Sequence, residues 1–271
     1  AQQVLKELSV RDIVSWSALI TGYAQEGKGH EALNCFERMQ NEGIYPDGVT
    51  FTCILSVCGR MRAIDEGERI HDAIVSRGLL EKNLVLVGAL VGMYAKCGGL
   101  REAQDLFDEL PVRNVISWTA LISGYVQHGL ADKALDCLVQ MKDEGISPNA
   151  VTFTCLLKAC SITKSANMGE EIHAHVKKQG LLGKNTILGT SLIDMYSKCG
   201  ELVEAQYVFN NLPRRDRISW NTLMAGYVQH GCFKETLTFF DKMQCECFSP
   251  DAFTFVCCLK ACDGRWLIDK G

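Results

Sequence analysis

No two cysteines stand in the CxxC spacing, although the chain carries fourteen of them in 271 residues. The spacing that zinc ribbons and thioredoxin-like redox motifs require is therefore missing. Basic residues are not in excess: 28 Lys and Arg face 32 Asp and Glu, a net charge of −4. That balance argues against a binder that simply coats phosphates. No run of about 18 apolar residues occurs, which excludes a membrane-spanning helix, and no membrane partner is expected. No signal or transit-like segment opens the chain, and its first residues, AQQVLKELSVRD, read as the middle of something longer. The alternation of apolar and polar residues that marks β-strands is absent throughout.

What the chain has instead is a phrase used three times. VRDIVSWSALITGYAQEG (10–27), VRNVISWTALISGYVQHG (112–129) and RRDRISWNTLMAGYVQHG (214–231) place Trp16, Trp118 and Trp220 at intervals of 102 residues. The cysteines obey the same interval. Cys53, Cys155 and Cys257 form one series and Cys58, Cys160 and Cys262 another, with Cys97 matching Cys199 and Cys35 matching Cys137. Ten of the fourteen are thus copies of four helix positions, where buried free thiols are common. So many free thiols imply a reducing compartment.

The period divides again into units of 35, 36 and 31 residues: 13–47, 48–83 and 84–114, then 115–149, 150–185 and 186–216, then 217–251. Partial units are expected at 1–12 and 252–271. These are the lengths of helical solenoid repeats. Each unit reads as two antiparallel helices. In SWTALISGYV, Trp118, Leu121, Ile122 and Tyr125 recur at helical spacing. Ala134, Leu138 and Met141 do the same in the partner helix, with Gly129 as the break between them. Gly145 and Pro148 end the pair. Gly22, Gly124 and Gly226 sit inside first helices, where glycine costs stability, so close helix approach is expected there. Cys247 replaces the helix-ending Gly43 and Gly145, and a strained or reshaped turn is expected. No pair can bury its own apolar face, so the pairs must stack into an all-α superhelix of seven complete pairs.

The phrases SWNTLMAGYVQHG, FTCLLKAC and GEEIHAHVKKQGL, with MYAKCG (93–98) and MYSKCG (195–200), resemble the P, L and S repeats of plant pentatricopeptide repeat (PPR) proteins of the PLS class. The resemblance covers nearly the whole chain, as a fragment of a repeat tract. Tetratricopeptide repeats have a 34-residue unit of similar shape but lack the triplet. The resemblance implies a right-handed superhelical solenoid that binds single-stranded RNA, one base per repeat. It further implies that the fifth and last residues of a repeat hydrogen-bond the base edge while the second packs on its face.

Carried over, the first P repeat offers Ser17 and Asp47 with Val14, a guanine-like pair. The second offers Thr119 and Asn149 with Ile116, adenine-like. The third offers Asn221 and Asp251 with Ile218, uracil-like. The S repeat at 186–216 offers Thr190 and Asp216 with Ile187, guanine-like. In the S repeat at 84–114, Gly88 leaves Asn114 without a partner. The L repeats hold Thr52 with Asn83 and Thr154 with Asn185, and L repeats follow the pairing code poorly. The expected target is 5′-GNNANGU-3′. The resemblance also implies a plastid or mitochondrial location, a role as the targeting tract of a cytidine-to-uridine RNA editing factor, and small organellar editing factors as partners at the L repeats.

Competing readings exist for these residues. Ser, Thr and Asn favour helix starts, so Ser17, Thr119 and Asn221 have a rival reading as simple caps. Against this, the fifth and last positions vary between copies while Trp, Leu and Gly beside them do not. His173 and His175 are two apart, face different sides of a helix and cannot chelate together. His71 pairs with His173, and His128 with His230, as repeat positions. Neither half of the H-x-E…P-C-x-x-C deaminase signature is present, so no catalysis, metal, cofactor or small-molecule substrate is expected. The alternative function is a helical-repeat scaffold that binds protein, which would vary over many concave positions.

Overall fold

The computed structural model describes residues 12–80, 83–183 and 185–268, and the partial unit expected at 1–12 lies, apart from Asp12, outside them. Every regular element among the described residues is an α-helix. The first helices of the pairs are α1 (Ile13–Gln25), α3 (Gly48–Met61), α5 (Leu84–Cys97), α7 (Val115–Gln127), α9 (Ala150–Thr163), α11 (Thr186–Cys199), α13 (Arg217–Gln229) and α15 (Ala252–Ile268). The second helices are α2 (Gly29–Asn41), α4 (Ile64–Val75), α6 (Leu100–Asp108), α8 (Ala131–Asp143), α10 (Ala166–Lys178), α12 (Leu202–Asn210) and α14 (Phe233–Cys245).

Local chemistry sets these limits. First helices start on an Asp or Asn whose side chain accepts a backbone N–H of the first turn, from Asp12 through Asn83 and Asn185 to Asp216. They end in left-handed residues: Gly27, Gly98, Gly129, Gly200 and Gly231, with Arg62 and Lys164 filling this place in the L repeats. The chain divides into two compact units, Ala1–Leu130 with Gln140–Ser147, and Ala131–Val139 with Pro148–Gly271. In the first, α1, α3, α5 and α7 pack in succession, and α2, α4 and α6 each lie against their own first helix and the next. The second repeats the scheme with α9, α11, α13 and α15, covered by α10, α12 and α14.

The core is the repeat made solid. Trp16, Trp118 and Trp220 are buried, as are Phe51, Phe153, Phe107 and Phe209. Phe107 meets Trp118 edge-on at 4.5 Å and Phe209 meets Trp220 at 4.6 Å. Arg113 lies over Phe107 and bonds Glu144 at 2.6 Å; Arg215 lies over Phe209 and bonds Glu246 at 2.8 Å. Close helix approach holds at two of the three internal glycines. A Cβ on Gly124 would collide with Ala95, and one on Gly226 with Ser197, whereas Gly22 meets nothing within 4 Å.

The cysteine expectation holds in part. Cys35, Cys58, Cys137, Cys160 and Cys257 are buried and none of the fourteen forms a disulfide, but Cys53, Cys97, Cys155 and Cys199 are half-buried and Cys262 is exposed. Burial pushes the Cys58 and Cys160 thiols up to about 12. They are packing groups, not nucleophiles. Neighbouring helices carry the Cys97 and Cys199 thiols onto the carbonyls of Cys58 and Cys160.

The turn at Cys247 is strained rather than reshaped. Its φ of 62° matches the 77° and 72° of Gly43 and Gly145, and its N–H still bonds the Gln244 carbonyl at 2.9 Å. A Cβ in this conformation costs about 1–2 kcal/mol. Cys247→Gly is therefore expected to stabilise the protein by about 1 kcal/mol, after part of the gain is lost to glycine's freedom in the unfolded chain. Urea titration measures this, and an unchanged or lowered midpoint contradicts it.

The paired histidines tie neighbouring helices. His71 Nδ1 lies 2.9 Å from the Tyr94 hydroxyl and His173 Nδ1 3.0 Å from that of Tyr196. His128 and His230 reach the carbonyls of Ala95 and Ser197 through Nε2. Burial pushes both His71 and His173 below the ordinary value of 6.5. A histidine harder to protonate folded than unfolded contributes stability that is whole above the unfolded pKa and is lost as pH falls below it. The melting temperature is expected to drop between pH 7.5 and pH 5.5. The double substitution His71→Gln, His173→Gln should flatten that drop, and an equal drop in the variant contradicts the assignment.

Candidate nucleic-acid interface

Each first helix carries its second residue outward. Val14, Val49, Val85, Ile116, Val151, Ile187, Ile218 and Phe253 are all exposed, several by more than 60%. An exposed apolar residue is unremarkable alone. A series of them at one repeat position is a built surface.

The last residue of each repeat caps the following helix. Asp47 Oδ1 accepts Thr50 N–H at 2.8 Å, Asn149 accepts Thr152 at 2.9 Å, Asp216 accepts Ser219 at 2.8 Å and Asp251 accepts Thr254 at 2.9 Å. Asn83, Asn114 and Asn185 do likewise for Leu86, Ser117 and Leu188. The capping reading considered for Ser17, Thr119 and Asn221 is thereby corrected. These fifth residues lie one turn inside their helices, and capping belongs to the last residues. Asp and Asn cap about equally well, so capping leaves the choice between them open.

Fifth and last residues meet differently in different repeats. Ser17 Oγ lies 2.6 Å from Thr50 Oγ1, which donates to Asp47 Oδ1 at 2.7 Å. Asn221 Nδ2 donates directly to Asp251 Oδ1 at 3.1 Å, and Thr254 Oγ1 lies 2.7 Å from Asn221 Oδ1. Asp251 also pairs with Arg217 at 3.1 Å. The Thr254 N–H, with the Asn221 amide and Arg217, holds its carboxyl below the usual range. Thr190 instead donates to its own helix at Thr186 O, as Thr52 does to Gly48 and Thr154 to Ala150. Thr119, in the first unit, donates to Val115 O at 2.6 Å. Gly88 is buried and brings no side chain to Asn114; the Ile116 methyl stands 3.4 Å from where its Cβ would be.

In the second unit these positions share an open cleft. Ile187 and Ile218 line it together with Thr190, Asp216 and Thr154, and Lys158, Asp194 and Lys198 add charge. Lys198 is held by Asp194 at 2.8 Å. An adjoining cleft contains Ile218, Asn221, Lys198 and Phe253. Sequence reading missed Lys158 and Lys198. Lys198 had a signal, since MYSKCG and MYAKCG repeat the lysine at Lys96.

Paired helices at a 102-residue period, with apolar and polar side chains set at fixed places beside an open cleft, define an α-helical repeat protein. Sequence models described as PPR repeat family match 11–60, 113–161 and 215–263, and those described as PPR repeat match 49–79, 85–115 and 190–216. The chain belongs to the pentatricopeptide repeat family.

Pentatricopeptide repeat-containing protein At2g33680 of Arabidopsis thaliana is 39% identical over 96% of this chain and 36% of its own length. A putative mitochondrial member of the same plant, At3g13770, is 39% identical over 100% and 43%, and a chloroplastic one, At4g18520, 36% over 96% and 42%. The chain thus spans under half the length of these relatives. Among solved structures, the pentatricopeptide repeat protein PPR10 from maize superposes with a TM-score of 0.62 at 17% identity, over 99% of this chain and 45% of that one. The same protein in complex with an 18-nt psaJ RNA element gives 0.58 at 18%, over 96% and 44%.

Proposed function

We propose that this chain binds single-stranded RNA by base sequence, as a PLS-type tract with the repeat boundaries given above. A base enters between the second residues of successive repeats, as between Ile187 and Ile218, and its edge meets the fifth and last residues. The observation that carries this is the shared cleft of Ile187, Thr190, Asp216 and Ile218, which puts two apolar faces and two polar groups around one opening. Base faces pack on side chains and exposed Watson–Crick edges hydrogen-bond in single-stranded RNA recognition. The PPR10 complex with RNA supports the same class of ligand. The target is 5′-GNNANGU-3′. Lys158 and Lys198 line the same cleft and offer cations to backbone phosphates, contacts that position without specifying.

The full-length protein works in a mitochondrion or chloroplast, a reading supported by the relatives named for those organelles. There it addresses an RNA editing activity to its site, with small editing factors at the L repeats; the tract itself performs no chemistry. Fluorescence anisotropy at fixed salt tests the core of this, with one RNA carrying GNNANGU and another with the four specified bases permuted. A preference of about tenfold, or 1.4 kcal/mol, is expected. Equal binding that fades with salt would leave phosphate contact alone, and binding to neither favours a protein-binding scaffold.

A further inference from the structure

We infer that Thr50, and Thr254 in the corresponding place, decide which hydrogen-bonding groups the fifth residue of a P repeat offers to a base. They are positioning residues for base choice, and the inference rests on the base-reading function proposed above. Both are buried, at 1% and 0% exposure, and both are the third residue of the helix that follows the P repeat.

Proton bookkeeping carries the argument. A carboxylate only accepts, and a hydroxyl has one proton to give. Thr50 gives its proton to Asp47 Oδ1 across 2.7 Å. The 2.6 Å contact between Ser17 and Thr50 must then be donated by Ser17. Ser17 Oγ is left with lone pairs only, and the Asp47 carboxylate can only accept. A base therefore meets two acceptors, which suit the N1–H and N2–H₂ donors of guanine. Without Thr50 the Ser17 hydroxyl could turn and donate, and an adenine or cytosine edge would be tolerated.

The third P repeat sets a threonine in the same place but runs the proton the other way. Thr254 Oγ1 lies 2.7 Å from Asn221 Oδ1 and 2.9 Å from Asp251 Oδ1, and its one proton goes to the shorter contact, the amide oxygen. Asn221 Nδ2 gives one hydrogen to Asp251, and its Oδ1 faces the Thr254 hydroxyl at 2.7 Å. This fixes the amide so that its second N–H points away from the relay. One donor beside a carboxylate acceptor suits the O4 and N3–H of uracil. The L and S repeats lack the device. Leu86 and Leu188 hold the equivalent place after the L repeats and have no hydroxyl, and Ser219 turns its hydroxyl to the Asp216 carbonyl at 2.7 Å. Their fifth-position threonines fall back on their own helices.

The test uses Thr50→Val, which keeps the shape and the backbone cap, and Thr50→Ser, which keeps the hydroxyl. Each protein is titrated with labelled GNNANGU and with the same RNA carrying adenine at the first base or cytosine at the last. The unsubstituted protein and Thr50→Ser are expected to prefer guanine at the first base by about tenfold, and Thr50→Val by less than about threefold. All three should keep the same preference for uracil at the last base. If Thr50→Val keeps the full guanine preference, or merely binds every RNA more weakly by one factor, the relay is overturned while base reading stands. If the unsubstituted protein shows no preference at the first base, the reading at that position falls and the relay with it.

Discussion

Exchanging Asn221 for threonine is expected to switch the preferred last base from uracil to guanine. Asn221 is only 7% exposed, and it meets Asp251 and Thr254. Threonine removes the amide N–H that would serve uracil O4. Its hydroxyl would face Thr254 as Ser17 faces Thr50 and would present an acceptor beside Asp251. A mismatched base costs about 1–3 kcal/mol in nucleic-acid sites, so loss of the old match and gain of the new one should move the uracil-to-guanine affinity ratio by about a hundredfold. Paired titrations with RNAs ending in U or G measure this ratio. A ratio that stays put while the protein remains folded removes Asn221 from base choice.

Trp118→Ala is expected to destabilise the protein by about 3–5 kcal/mol, the usual range for removing a buried Trp. Trp118 is fully buried and packs edge-on against Phe107 at 4.5 Å. Its indole N–H donates to Glu144 at 3.0 Å, and the same carboxylate holds Arg113. Alanine leaves a void and frees the Glu144 oxygen that accepted the indole. Neighbours in a repeat protein stabilise one another, so the loss spreads beyond a single pair. Chemical denaturation measures the effect, and a cost below about 1 kcal/mol contradicts a core organised on the repeated tryptophans.

Helix limits were legible because the residues that set them act locally. An Asp or Asn caps the next helix within three residues, and Gly27, Gly129 and Gly231 adopt positive φ without a Cβ to resist. The repeat itself could be counted from Trp16, Trp118 and Trp220. Partners between helices were not legible to the same degree. Gly22, Gly124 and Gly226 share one repeat position, yet only the latter two face a neighbouring Ala95 or Ser197. The histidine ties to Tyr94 and Tyr196 join residues 23 apart, and no local rule links them. The rival reading of Ser17, Thr119 and Asn221 as caps arose because Ser, Thr and Asn favour helix starts in general, whereas the actual starts are fixed by Asp47, Asn149 and Asp216. The Thr50 and Thr254 relays escaped notice because a threonine early in a helix reads as ordinary; only the 2.6 and 2.7 Å contacts reveal the third party.

The most direct measurement is selection from a randomised RNA pool, with sequencing of the bound fraction at several salt concentrations. The account predicts enrichment of guanine, adenine, guanine and uracil in the order and spacing of GNNANGU, with the intervening positions near background. It further predicts that added salt weakens binding overall while leaving that pattern in place, since phosphates carry the salt dependence and base edges the choice. A bound pool with the composition of the input, or one enriched in a motif of different spacing, would contradict it.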